Sequence, residues 1–140
     1  MKRNRSLAAA AVVLGTFGVG LAGAARAEVG EEVEVTSGVV TGESCALQAR
    51  EKGELRLLTS CPPAEARKGL VVFDVAEKRI YRIADKKVFR YQLESAFGGG
   101  SIDFTGKTVK VDAKSAIATV EVSDYSITKK PKPGAFKGCL

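Results

Sequence analysis

The chain has 140 residues, with 22 Lys and Arg, 16 Asp and Glu, and no histidine. This length suits one small domain, and the lack of histidine excludes Ser-His-Asp and Cys-His nucleophile pairs and the usual His-containing zinc sites. Three cysteines are too few for a Cys₄ zinc site, and the single methionine is Met1, so thiolate is the only soft copper ligand on offer.

Residues 1–27 have the layout of a secretory signal peptide. Lys2, Arg3 and Arg5 form a basic start, Leu7 to Ala25 is an uncharged run, and Ala25-Arg26-Ala27 puts small residues third and first before a cut. The rival reading is a retained transmembrane anchor, since the run is about long enough to span a bilayer. Its Ala and Gly content makes it only weakly hydrophobic, and no cysteine at the cut offers a lipid attachment point. Removing the leader takes away four basic residues and no acidic ones. That leaves 18 against 16, a net charge of +2 on residues 28–140. Such a balance is not the footprint of a nucleic-acid binder. The expected address is secreted or periplasmic, with no stable membrane insertion after cleavage.

Glu28 to Glu32 reads as a mobile acidic leader, and Glu31, Glu32 and Glu34 as a solvated edge. Val33, Val35, Ser37 and Val39 alternate with Glu34, Thr36 and Gly38, the period of a half-buried strand running to about Ser44, with a bend or bulge at Gly38. From Ala46 to Lys52 come helix formers stopped by Gly53. Leu55, Leu57 and Leu58 lead to a turn at Thr59-Ser60. Pro62-Pro63 opens a short helix ended by Gly69, which puts Cys61 just before a helix start. Leu70 to Val75 and Arg79 to Ile83 form a hairpin about Glu77-Lys78. Asp85 is a candidate cap for a helix whose Phe89, Leu93, Ala96 and Phe97 share one face, and Gly98-Gly99-Gly100 ends it. Strands follow at Gly106 to Asp112, with Val109 and Val111 inward, and from Ala116 through Val120 and Val122 to Ile127, with a bulge near Ser123. Residues 129–140 read as a loosely held basic tail carrying Lys129, Lys130, Lys132 and Lys137.

The fold class implied is mainly β: a small five-stranded barrel of the OB type, with one helix between strands 3 and 4, occupying residues 28–140 behind the signal peptide. Gly42-Glu43-Ser44-Cys45, Cys61, Gly69-Leu70, Gly106-Lys107-Thr108-Val109-Lys110-Val111 and Ala118 to Ile127 together resemble a loose group of exported bacterial OB-like domains of unknown function. The resemblance implies the fold and the address. It implies no activity, because a fold does not carry a function by itself. Members of the group often have a histidine near the second cysteine, and this chain has none.

Cys45 and Cys61 are the candidate site residues. One reading is a structural disulfide in an oxidising compartment; the other is a reactive thiol at Cys61, favoured by helix N-terminal amides. No C-x-x-C is present. Cys139 is the odd cysteine: a free thiol, a bridge to a second chain giving a dimer, or the true partner of Cys45 or Cys61. Gly98 to Ser101 follows a helix instead of preceding one and lacks the Gly-Lys-Ser/Thr pattern of a phosphate loop. Phe73, Tyr81, Phe89 and Tyr91 near Lys86, Lys87 and Arg90 have the make-up of a stacking platform, although Phe73 and Phe89 are expected to pack inward and no nucleic-acid partner is expected. No catalytic residue, metal site or cofactor is implied. The leading expectation is a non-catalytic exported module that binds a small ligand or an envelope protein. The alternative is a thiol-based redox or metal-binding envelope protein using Cys45 and Cys61.

Overall fold

The computed structural model describes residues 26–84 and 86–131, so Cys139, Asp85 and all of the leader except Arg26 and Ala27 lie outside it. Five strands, β1 (Glu32–Gly42), β2 (Leu70–Asp74), β3 (Arg79–Ile83), β4 (Ser101–Val111) and β5 (Ala118–Lys129), close into a barrel in the order β1-β2-β3-β5-β4. Neighbours are antiparallel except for β3 and β5, which run parallel through Tyr81 to Ile83 and Ala118 to Val120. Three helices, α1 (Glu43–Lys52), α2 (Arg56–Thr59) and α3 (Pro63–Lys68), lie between β1 and β2. A fourth, α4 (Arg90–Glu94), lies between β3 and β4. Among the described residues no helix is long and apolar enough to cross a membrane.

The barrel interior is filled by alternate side chains of the strands, including Val33, Val35, Val40, Val72, Tyr81, Ile102, Phe104, Val120 and Val122. The Tyr81 and Phe104 rings meet edge to face with centroids 5.8 Å apart, the arrangement favoured by aromatic quadrupoles. Val88, Leu93, Ala96 and Phe97 close the barrel from the α4 side. A second, smaller core lies on the outside of the sheet. There Ala46 and Ala49 of α1, Leu58 of α2 and Ile117 of the β4–β5 loop cover Val71, Phe73 and Ile80. β2 is therefore buried on both faces, which accounts for its unbroken apolar run Leu70-Val71-Val72-Phe73.

Several expectations are corrected. Residues 28–31 form a turn docked on β4, with Gly30 N donating to Thr108 O at 2.7 Å and Thr108 N to Glu31 O at 2.9 Å. β1 ends at Gly42, and Glu43, Ser44 and Cys45 belong to α1, because Cys45 must turn inward to reach Cys61. The inward phase of β1 holds for Val33 and Val35 but breaks at a bulge between Val35 and Gly38; within it Ser37 is exposed, and beyond it Val40 points inward and Val39 packs with the outer core. Leu57 and Leu58 sit in a helical turn, α2. β4 begins at Ser101, ahead of the expected start at Gly106, and Ile102 and Phe104 are among its interior residues. Phe89 is half exposed, because it is the extended residue ahead of α4, and Val88 takes the core position in its place. Lys129 is the last residue of β5.

The long strands explain the remaining correction. On β5, Thr105 pairs with Asp124 and Gly106 with Val122, so Ser123 is an extra residue, at the expected bulge. A Cβ at Gly106 would lie 2.5 Å from Glu121 O and 2.7 Å from a Val120 methyl, so only glycine permits this approach. On β4, Thr108 pairs with Val120 and Lys110 with Thr119, leaving Val109 as the extra residue. Val109 is consequently pushed outward to 44% exposure while Thr108 turns inward. The buried Thr108 hydroxyl has no hydrogen-bond partner among the described residues. Replacing it by the isosteric Thr108→Val removes a desolvated polar group and is expected to raise stability by about 1 kcal/mol in urea unfolding; a loss of stability would show that the hydroxyl is satisfied.

Candidate functional site

Cys45, in the first turn of α1, and Cys61, two residues before α3, form a disulfide with Cα atoms 5.9 Å apart. Both residues are buried, and their neighbour Gly42 has no room for a side chain, since a Cβ there would lie 3.0 Å from Cys61 Sγ. Ser44 Oγ donates to Glu65 Oε2 at 2.5 Å, a second tie between α1 and α3. Among the described residues no group of three or more His, Cys, Asp or Glu could hold a metal ion.

The four aromatic residues of the suggested stacking platform are not brought together. Phe73 lies in the outer core and Tyr81 inside the barrel. Only Phe89 and Tyr91 share a place, as an exposed parallel pair with centroids 5.9 Å apart. The basic residues are engaged locally: Lys86 with Glu121, Lys87 with the Ser123 carbonyl, Arg90 with Glu94.

α1 is clamped to the barrel at both ends. Arg82 of β3 donates from Nε and Nη2 to the two oxygens of Glu43, at 2.9 and 2.6 Å, a bidentate fork that holds the guanidinium charge firmly. Asp112 lies 4.0 Å from the same guanidinium, and its carboxyl is kept below the usual range by the Ser115 and Lys114 backbone N–H groups that it accepts. At the other end Arg50 Nη2 donates to the Ser115 carbonyl at 2.6 Å. The β1–β2 insertion and the β4–β5 loop are thus fastened to each other over the outer face of β2 and β3.

Two of the open sites gather charged side chains from several elements. A wide groove of about 780 Å³ crosses the outside of β1, β4 and β5, and it is mixed in charge: Glu32, Glu34 and Glu121 against Lys87 and Lys107. A smaller pocket of about 200 Å³ lies at the mouth of the barrel. Arg26, Arg50, Lys78 and Arg79 surround it, over a floor that includes Ile80 and Tyr81, and no acidic side chain lines it. Arg50 reaches it from the end of α1, Lys78 and Arg79 from the β2–β3 hairpin. Lys78 holds a left-handed backbone, φ 53°, a conformation uncommon for a side chain of its type. Behind the pocket Arg79 Nη1 donates to Glu31 Oε1 at 3.0 Å. Glu31 is held below the ordinary carboxylate range first by the Glu28 backbone N–H and then by Arg79, and burial pushes the Tyr81 phenol up. Sequence reasoning missed this pocket because its residues come from four distant segments; the adjacent Lys78 and Arg79 at the hairpin were the one local signal.

The chain matches no protein-family model, no curated protein and no solved structure.

Replacing Cys45 and Cys61 together by alanine reopens a loop of 16 residues. It is expected to lower stability by about 3 kcal/mol in urea unfolding; an unchanged midpoint would remove the disulfide from the list of supports. Because the Glu31 carboxyl is depressed in the folded chain, its contribution is complete above the unfolded value near 4.5 and is lost as pH falls through the folded one. Glu31→Gln should therefore melt below wild type at neutral pH, with the gap closing in acid. A gap independent of pH would refute the charge assignment.

Proposed function

We propose that the chain is an exported, non-catalytic binding module on an OB-type barrel, and that its ligand presents a small anionic group, a phosphate or a carboxylate, to the barrel mouth. The observation that carries the reading is the single sign of charge around that pocket. Arg79 is partly neutralised by Glu31, but Arg50 and Lys78 are set around a space large enough for one anion and little more. Removal of residues 1–27 takes Arg26 from the rim and leaves Arg50, Lys78 and Arg79 in place.

The strand order, with a parallel β3–β5 closure and a helix between β3 and β4, supports the OB-type assignment. Such barrels commonly offer the face of strands 2 and 3, with the loops after strands 1 and 4, to oligonucleotides or oligosaccharides. Here α1 and α2 occupy that face and bury Phe73 and Ile80, so it offers a long polymer no open sheet to lie on. The mouth beside those loops is the part of that region left open. An anion there gains charge-assisted hydrogen bonds from guanidinium groups whose positions are already set by Ser115 and Glu31. The non-catalytic part rests on the lack of histidine and of any recommended nucleophile.

An NMR titration of the chain beginning at Glu28 with inorganic phosphate and with glucose 6-phosphate tests the reading, using glucose and chloride as controls. The amides of Arg50, Lys78, Arg79 and Ala116 should shift saturably with the two phosphates, and Arg50→Gln with Lys78→Gln should weaken binding at least about tenfold, the loss expected for charged hydrogen bonds. Shifts that track ionic strength alone, or that map elsewhere, would overturn it.

A further inference from the structure

The turn before β1 is built around one shared carboxylate. Glu31 Oε2 accepts from the backbone nitrogen of Glu28 at 3.0 Å, and Glu31 Oε1 accepts from Arg79 Nη1 at 3.0 Å. Glu31 N returns to Glu28 O at 3.1 Å, and the ties to Thr108 hold the turn on β4. The Glu28 nitrogen is therefore an ordered atom, placed against an acceptor that already bears a full negative charge.

In the intact chain that nitrogen is a neutral peptide amide with one hydrogen. Hydrolysis of the Ala27–Glu28 bond changes it. Water is added, Ala27 departs with a carboxylate, and the nitrogen becomes an ammonium with a positive charge and three hydrogens. We propose that Glu31 is a built-in receptor for the new N-terminus, so that cleavage after Ala27 turns a hydrogen bond of the turn into an ion triad of the Glu28 ammonium, Glu31 and Arg79. The inference rests on the export reading, since it needs that bond to be cut.

Two independent observations select the same bond. The small residues of Ala25-Arg26-Ala27 mark it as the place of the cut, and the geometry puts the acceptor opposite the atom which that cut would charge. A cut one residue to either side makes a different atom the terminal nitrogen. The groups that face the triad are compatible with it. Arg79 and Tyr81 approach from β3, Asp74 of β2 sits opposite Arg79 in the strand register, and Lys107 of β4 sits opposite Glu32. The carboxylate lies between the two cations, each on its own oxygen, so their mutual repulsion is screened at the shortest distances. Ala27 packs against the barrel core and Arg26 lines the mouth in the uncut chain. Cleavage therefore also clears the rim of the pocket while pinning the end it creates.

The triad makes opposite demands on pH at its two titrating members. The ammonium is favoured by Glu31, so its contribution is present below the ordinary α-amino range and is lost as pH rises through the raised folded value; the contribution of Glu31 is lost as pH falls through its depressed one. N-terminal sequencing of the exported protein tests the cut itself and should give Glu28 as the first residue. A separate test does not depend on export. The chain is released from a fusion with Glu28 as its first residue, and its α-amine is titrated by NMR in the wild type and in Glu31→Gln. The wild-type amine should show roughly threefold higher proton affinity than an ordinary α-amino group, and Glu31→Gln should abolish the difference. Acetylating the wild-type amine should lower the thermal midpoint, which covers the case in which Glu31→Gln does not fold. An ordinary amine, with no effect of acetylation, would overturn the triad even if the cut is confirmed. A different first residue on the exported protein would overturn the assigned cut and, with it, the triad's role in the cell.

Discussion

The molecule depends on a five-residue strand that has no solvent face. Val72 of β2 points into the barrel, while Val71 and Phe73 point out into a second core beneath α1 and α2. Each large apolar side chain buried this way contributes about 1.5–3 kcal/mol relative to exposure, so the strand is held from both sides only while the insertion between β1 and β2 stays folded over it. The disulfide between Cys45 and Cys61 serves that end, because it limits the freedom of a segment whose packing is not set by a ladder of strand hydrogen bonds. The three helices of that segment are short, and short helices draw their stability from tertiary packing more than from propensity.

Covering this face has a functional consequence. The outer surface of β2 carries an aromatic ring, Phe73, and it lies under the helices. The clamps Arg82 to Glu43 and Arg50 to Ser115 close the same region electrostatically. Among the sites that stay open are a small mouth ringed by cations and a broad groove of mixed sign. A mixed-sign surface offers no single polarity for a charged ligand to recognise, whereas the mouth does, and this contrast is why the binding proposal is placed there.

Much of the fold could be read from local pattern. The runs Leu70 to Asp74 and Arg79 to Ile83, the stop at Gly53, the helix start at Pro63 and the bulge at Ser123 each have a local physical cause, and each stands where that cause puts it. Where strand faces differ from the expected pattern, bulges are the cause. A bulge changes the phase of everything beyond it, and neither the bulge at Val35–Gly38 nor the one at Val109 can be placed to the residue by counting alternation. Val109 and Thr108 exchanged faces for that reason. Phe89 falls on the helical stripe by spacing yet lies ahead of α4, because periodicity does not reveal where a short helix begins.

The sequence by itself determined the class of the fold, the number of strands, the places where chain direction changes and the catalytic chemistries for which side chains are missing, because these follow from residue type and short-range spacing. The tertiary structure alone decided which face of β4 carries Thr108, that the β1–β2 insertion lies over β2, and that Arg50, Lys78 and Arg79 surround one space beside Glu31. Those outcomes depend on register shifts and on side chains brought together from distant segments, and barrel closure sets both only after every strand has found its neighbour.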